Sequence, residues 1–178
     1  MLYKSGAAER NAAMHVAELM TAAARTAPKG RGVDTIETLI LDGEDKDKLV
    51  SAMREWGDRL KMPFFHRDAI NIDACHCVVL IGAEVKPRSL NCAFCGAENC
   101  AEATKGNIAC AIAVSDLGIA VGSAAAMAGD SRIDTRVMFS VGVAAMKLKL
   151  LSDKVTICYG LGLSVSGKSI FFDRPVTQ

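Results

Sequence analysis

Several things are scarce in this chain, and each shortage closes off a class of function. Aromatic residues fill 5% of its 178 positions, with one Trp and two Tyr. That is too few for the clustered platforms on which nucleic-acid bases stack. Its 21 basic and 20 acidic side chains leave a net charge of +1, so there is no basic footprint for a nucleic acid. The stretch from Met1 to Arg10 holds no apolar run of the signal-peptide kind. Prolines number four, and no repeat or low-complexity linker divides the sequence, which reads as a single domain over 1–178. The most apolar window, Ile108–Met127, carries Asp116 in its middle and several Gly and Ser. It reads as a buried helix of a soluble protein, not as a membrane span. A cytoplasmic location is expected, with neither nucleic acid nor membrane as partner.

Apolar residues are plentiful at 51%, enough for a sizeable core without disulfide help. Their spacing outlines the elements. Gly6–Thr26 is Ala-rich, with Met14, Ala17, Leu19, Met20 and Ala24 marking a helix, and Pro28, Gly30 and Gly32 break it. Thr35–Leu41 is a β-branched strand. Glu44–Lys61 is amphipathic, with Leu49, Met53, Trp56 and Leu60 on one face and acids in the first turn, as the helix dipole prefers. Cys77–Gly82 reads as a buried strand, Ile108–Met127 and Ile133–Leu151 as two mostly buried helices, and Val155–Val165 as a last strand that Ile170–Phe172 extends or follows. The expected fold is α/β in the α+β sense: one mixed sheet flanked by helices, with a cysteine-rich insert at 83–110. The two late helices carry more apolar surface than a small sheet covers, so a homodimer through them is expected.

Seven cysteines are an odd number, and a chain without an export signal is a poor host for a disulfide framework. Cys92, Cys95 and Cys100 are spaced C-x2-C-x4-C, and Cys110 follows nine residues later. Three thiols in one short loop wrap a corner of a polynuclear centre. Gly96 permits the tight backbone this requires. Cys100 falls near the start of a short helix, roughly Ala97–Lys105, where a thiolate is favoured. With Cys110 the count reaches four, the complement of a [4Fe–4S] cluster. Zinc is the alternative, although its sites usually come as two C-x2-C knuckles, and only one is present here.

These residues carry a resemblance. Cys92, Cys95, Gly96 and Cys100 match, in order and spacing, the four-cysteine iron–sulfur domain of electron-transfer complex and corrinoid-protein subunits. The whole chain resembles the "ferredoxin domain-containing" proteins of bacteria and archaea through Ala23–Lys29, Asp116–Ser123, Asp134–Phe139 and Ser166–Arg174. A fold-level likeness to flavin nitroreductases lies in the order Ala27-Pro28-Lys29, strand, charged helix, late Gly-rich segment. Lys29 stands where those chains have serine, and no Arg-x-Ser-x-Arg precedes it. This second likeness implies flavin mononucleotide, its phosphate held by Arg25, Lys29 and Arg31 together with Lys168 and Arg174 beside Gly160, Gly162 and Gly167. The alternative is that these are surface cations near a strand end. The resulting expectation is a [4Fe–4S] redox protein that transfers electrons, with flavin as a further cofactor and an unspecified redox partner. The rival is a non-redox module whose four cysteines hold zinc or a cluster for structure alone.

Other signals carry less. Gly162–Ser169 fits the phosphate-loop pattern G-x4-G-K-[ST], but the residues that follow are strand-like, and the pattern works only before a helix. Cys75 and Cys77, two apart on a strand, are expected on one face as buried thiols. Cys158 reads as core. Asp116 needs a buried partner, and Arg132 or Arg136 is the nearest candidate in sequence.

Overall fold

A computed structural model describes residues 2–172. Helix α1 (Ser5–Thr26) is Ala-rich and ends where Pro28 cannot continue it. A 3-10 turn at Gly30–Gly32 leads into β1 (Ile36–Leu41). Helices α2 (Gly43–Leu60) and α3 (Phe64–Asp73) follow, separated by a left-handed Lys61 and by Pro63. Then come β2 (Cys77–Ala83), a short α4 (Cys100–Lys105), α5 (Ala111–Asp130), β3 (Asp134–Met138), α6 (Phe139–Lys147) and β4 (Ile157–Ser164).

The four strands form one sheet in the order β1-β2-β4-β3. The α+β architecture is the one expected, but the sheet is antiparallel throughout, not mixed. Strand β2 is buried at all seven positions, because helices cover both faces of the sheet there. That double burial is why its sequence is an unbroken apolar run instead of an alternating one. On one face, Val16, Ala17, Met20 and Ala24 of α1 and Leu117, Ala120 and Ala124 of α5 pack on Val79, Ile81, Leu161 and Leu163. On the other, Leu49 and Met53 of α2, Ala69 and Ile72 of α3 and Val141 and Ala144 of α6 pack on Val78 and Leu80. Each fully buried Leu or Met here contributes about 1.5–3 kcal/mol. Helix α6 lies so close to β4 that a methyl on Gly142 would collide with the Cys158 carbonyl.

Three expectations are corrected. The stretch expected to be one helix at 133–151 opens with β3, whose Asp134–Met138 pair with Ser164–Gly160, and turns helical only from Phe139. Ile170–Phe172 forms a turn, with Phe171 buried against the α2–α3–α6 face. Helix α5, long and apolar enough by length and composition to cross a membrane, is buried along one side only. Its opposite side exposes Ser115, Gly118, Gly122, Ala126 and Gly129.

The register defines two ends of the sheet. Ile36, Ala83 and Ile157 are cross-strand neighbours at one end, and Leu41, Cys77, Ser164 and Asp134 lie at the other. The segment from Glu84 to Cys110 leaves β2 at the first end.

Candidate metal centre

Cys92, Cys95, Cys100 and Cys110 line one small pocket together with Leu90, Phe94 and Ile112. Three of these cysteines come from the loop after β2, and the fourth immediately precedes α5. Cys92 is exposed, Cys95 and Cys100 are half-buried and Cys110 is buried. The loop backbone is unusual. Ser89, Asn91 and Ala93 have positive φ (55°, 48° and 56°), alternating with residues of the ordinary hand, and Gly96 follows at 84°. Gly96 takes this conformation without a Cβ penalty.

Two asparagines hold the loop. The Asn91 N–H donates to Cys100 Sγ at 3.3 Å, while Asn91 Oδ1 accepts the Cys100 N–H at 3.0 Å. Asn99 caps α4, its Oδ1 accepting from the N–H groups of Ala101 and Glu102 at 2.9 and 3.0 Å. The helix therefore starts at Cys100 itself, three residues later than expected. The Cys110 N–H donates to Val85 O at 2.9 Å, tying the start of α5 to the first residues of the loop.

The donor set fits a cluster with four thiolate ligands. Among the described residues no three His, Cys, Asp or Glu side chains form a ready single-ion site. The remaining three cysteines are elsewhere and inert. Burial pushes the thiols of Cys75, Cys77 and Cys158 up to about 12. Cys75 and Cys77 do not share a face: Cys77 joins the α1–α5 core and Cys75 the α2–α3–α6 core. Cys75 sits just before β2 begins, so strand alternation does not govern it.

Of the cations expected around a flavin phosphate, Arg25, Lys29 and Arg31 are engaged within the chain. Arg25 pairs with Asp34 at 2.5 Å. Burial works against the Asp34 carboxylate, yet the Arg25 hydrogen bond and the Ile36 N–H hold its pKa below the usual value. Lys29 is buried and spends its ammonium on the carbonyls of Ala24, Arg25 and Ala27, capping α1. Arg31 donates to Arg88 O at 2.8 Å. All three lie at the cysteine end of the sheet. Lys168 lies four residues beyond the end of β4, which leaves the sheet at the opposite end. Arg174 lies outside the described residues. Among the described residues no helix follows Ser169, so the phosphate-loop pattern has no partner helix.

Asp116 finds its buried partner in neither Arg132 nor Arg136. Its Oδ1 accepts the Gly30 N–H at 2.8 Å, and its Oδ2 lies 3.5 Å from Arg88 Nε. Arg88 and Asn91 were not singled out from sequence. Asn91 had a local signal in its position beside Cys92, whereas Arg88 had none.

The fold places the chain in the class of nitroreductase-like α+β proteins. It superposes on an FMN-dependent nitroreductase from Clostridium difficile with a TM-score of 0.54 and 16% identity, covering 86% of this chain and 76% of that one. A putative NADH dehydrogenase/NAD(P)H nitroreductase from Parabacteroides distasonis gives 0.58 and 11%, covering 86% and 75%. At such identities the likeness establishes the fold alone. Sequence is more specific. An uncharacterized protein of Archaeoglobus fulgidus is 38% identical over 175 residues, covering 93% of this chain and 94% of its own. The profile of the family described as "uncharacterized protein containing a ferredoxin domain" (DUF2148) matches residues 106–174, a span that includes Cys110 and α5. The chain belongs to this ferredoxin-domain family, and the ferredoxin domain in the family's description points to redox function.

Proposed function

We propose that this protein is a cytoplasmic electron carrier whose Cys92, Cys95, Cys100 and Cys110 hold one [4Fe–4S] cluster. The observation that carries the reading is the sorting of the thiols. Four of the seven line a single cavity, and the other three are buried in the two cores flanking the sheet. When bound, such a cluster supplies a one-electron carrier. The chain's own contribution is its setting. The Asn91 N–H faces the Cys100 sulfur, and Leu90, Phe94 and Ile112 add apolar surface to the pocket lining. Hydrogen bonds to ligand sulfurs and burial are what set a cluster's potential.

The zinc alternative is weaker, because zinc sites usually come as two C-x2-C knuckles and the sequence has one. A flavin partner rests on the fold of its solved neighbours, not on a cation set in this chain. The bare side of α5 supports a homodimer, its small residues allowing a second helix to approach closely. The deciding experiment is anaerobic purification followed by iron, sulfide and zinc analysis with electron paramagnetic resonance of the reduced protein. Near-equal iron and sulfide, about four of each per chain, support the reading, and stoichiometric zinc without sulfide overturns it. Light scattering tests the dimer, and titration with flavin mononucleotide tests the flavin.

A further inference from the structure

A buried ion pair behind the cysteine loop is built from parts that are far apart in sequence. Asp116 and Arg88 have side chains only 6% and 4% exposed. Asp116 belongs to α5, the helix that Cys110 opens, and stands one helical turn beyond Ile112 of the cavity wall. Arg88 belongs to the loop that carries the other three cysteines and itself lines the cavity. The guanidinium also reaches Thr35 Oγ1 at 2.9 Å, and the Arg88 carbonyl receives Arg31 at 2.8 Å. The other Asp116 oxygen holds the Gly30 N–H, where even a methyl would strike Ile112. One carboxylate thus fastens the 3-10 turn, the three-cysteine loop and the fourth cysteine's helix to one another.

Such a pair is a costly way to gain stability, since desolvation offsets much of the attraction. Arg88 Nε and Asp116 Oδ2 make no hydrogen bond with good geometry, so the pair is held by charge and enclosure. A device of this kind suits the fixing of a relative position. We infer that Asp116 and Arg88 are positioning residues, which set the loop of Cys92, Cys95 and Cys100 against Cys110 before any metal arrives. The inference rests on the proposed reading for its purpose, but its geometry does not depend on a cluster.

The test uses the full chain, prepared without oxygen, as parent, Asp116→Asn, Arg88→Lys and the double variant Asp116→Asn with Arg88→Gln. In the metal-free proteins, maleimide labelling of each cysteine is followed by peptide mass spectrometry. Asp116→Asn leaves a buried cation unpaired, so Cys110 should label about tenfold faster as the loop lifts, while Cys158 stays protected. The double variant removes that cation and should restore much of the protection, a coupling that generic destabilisation does not produce. After reconstitution with ferrous iron and sulfide, Asp116→Asn should hold about a third or less of the parent's iron, with Arg88→Lys between the two. If Asp116→Asn exposes Cys158 as well and has unfolded, Arg88→Lys and the double variant decide by the same comparison. Parent-like labelling of Cys110 in every folded variant overturns the inference. A parent that binds no iron overturns the proposed function alone, because Cys110 labelling still reports the positioning.

Discussion

The loop between β2 and α5 and the sheet beneath it both contain cysteines, but they treat the thiol in opposite ways. In the sheet and just before it, Cys77, Cys158 and Cys75 are small apolar fillers whose ionisation burial opposes. In the loop, the thiols line a cavity beside backbone N–H groups and a capped helix. The lesson is that residue type alone does not announce chemistry; the surroundings assign it.

The sharpest break between the two regions is by substitution. Cys95→Ser should lose most of the bound iron, whereas Cys158→Ser should keep parent-level iron even if its stability falls; an iron-replete Cys95→Ser protein would remove the loop from the site. Next in size is glycine replacement. Gly142→Ala drives a methyl into the β4 backbone and should cost about 3 kcal/mol in urea unfolding. Gly96→Ala meets open space but a positive φ, so it should cost about 1 kcal/mol globally while sharply reducing iron uptake. Equal effects of the two on unfolding would blur the distinction. Alkaline stability probes the core thiols. Their folded pKa values lie above those of the unfolded chain, so their contribution is complete below about pH 9 and declines as pH rises toward 12. Urea midpoints at pH 8 and 10.5 should show the decline, and Cys158→Ala should flatten it. The smallest effect is at Asp34, whose depressed pKa adds stability above the usual carboxylate range that is lost as pH falls through the folded value. Asp34→Asn should shallow the acid limb by well under 1 kcal/mol, since the pair with Arg25 is partly exposed.

Much of this layout was legible because it is local. The Leu49–Met53–Trp56–Leu60 spacing marked α2, and the unbroken apolar run marked β2. The C-x2-C-x4-C pattern marked the cavity. What escaped depended on distant partners. Asp134–Met138 is a strand because β4 offers it an edge, and its apolar residues alone suit a helix equally well. Helix α3 had a readable stripe in Phe65, Ala69 and Ile72, but it is only ten residues long and lies between a proline and a cysteine pair. Arg88 as the partner of Asp116 was invisible, because 28 residues separate them and nearer arginines were available.

The alternation in hand at Ser89, Asn91 and Ala93 has a consequence for recognition. A backbone that reverses its hand at successive residues gathers its N–H groups into a concavity that attracts negative charge. The Asn91 N–H aimed at the Cys100 sulfur is one visible member of such a nest. A cluster held as proposed would meet peptide groups as well as thiolates, and every residue except proline possesses a peptide N–H. The side chains of Ser89 and Ala93 are free to vary while this backbone persists, Asn91 alone being tied by its own Oδ1 to Cys100, and a proline at any of the three, with φ fixed near −65°, would dismantle it without touching a cysteine.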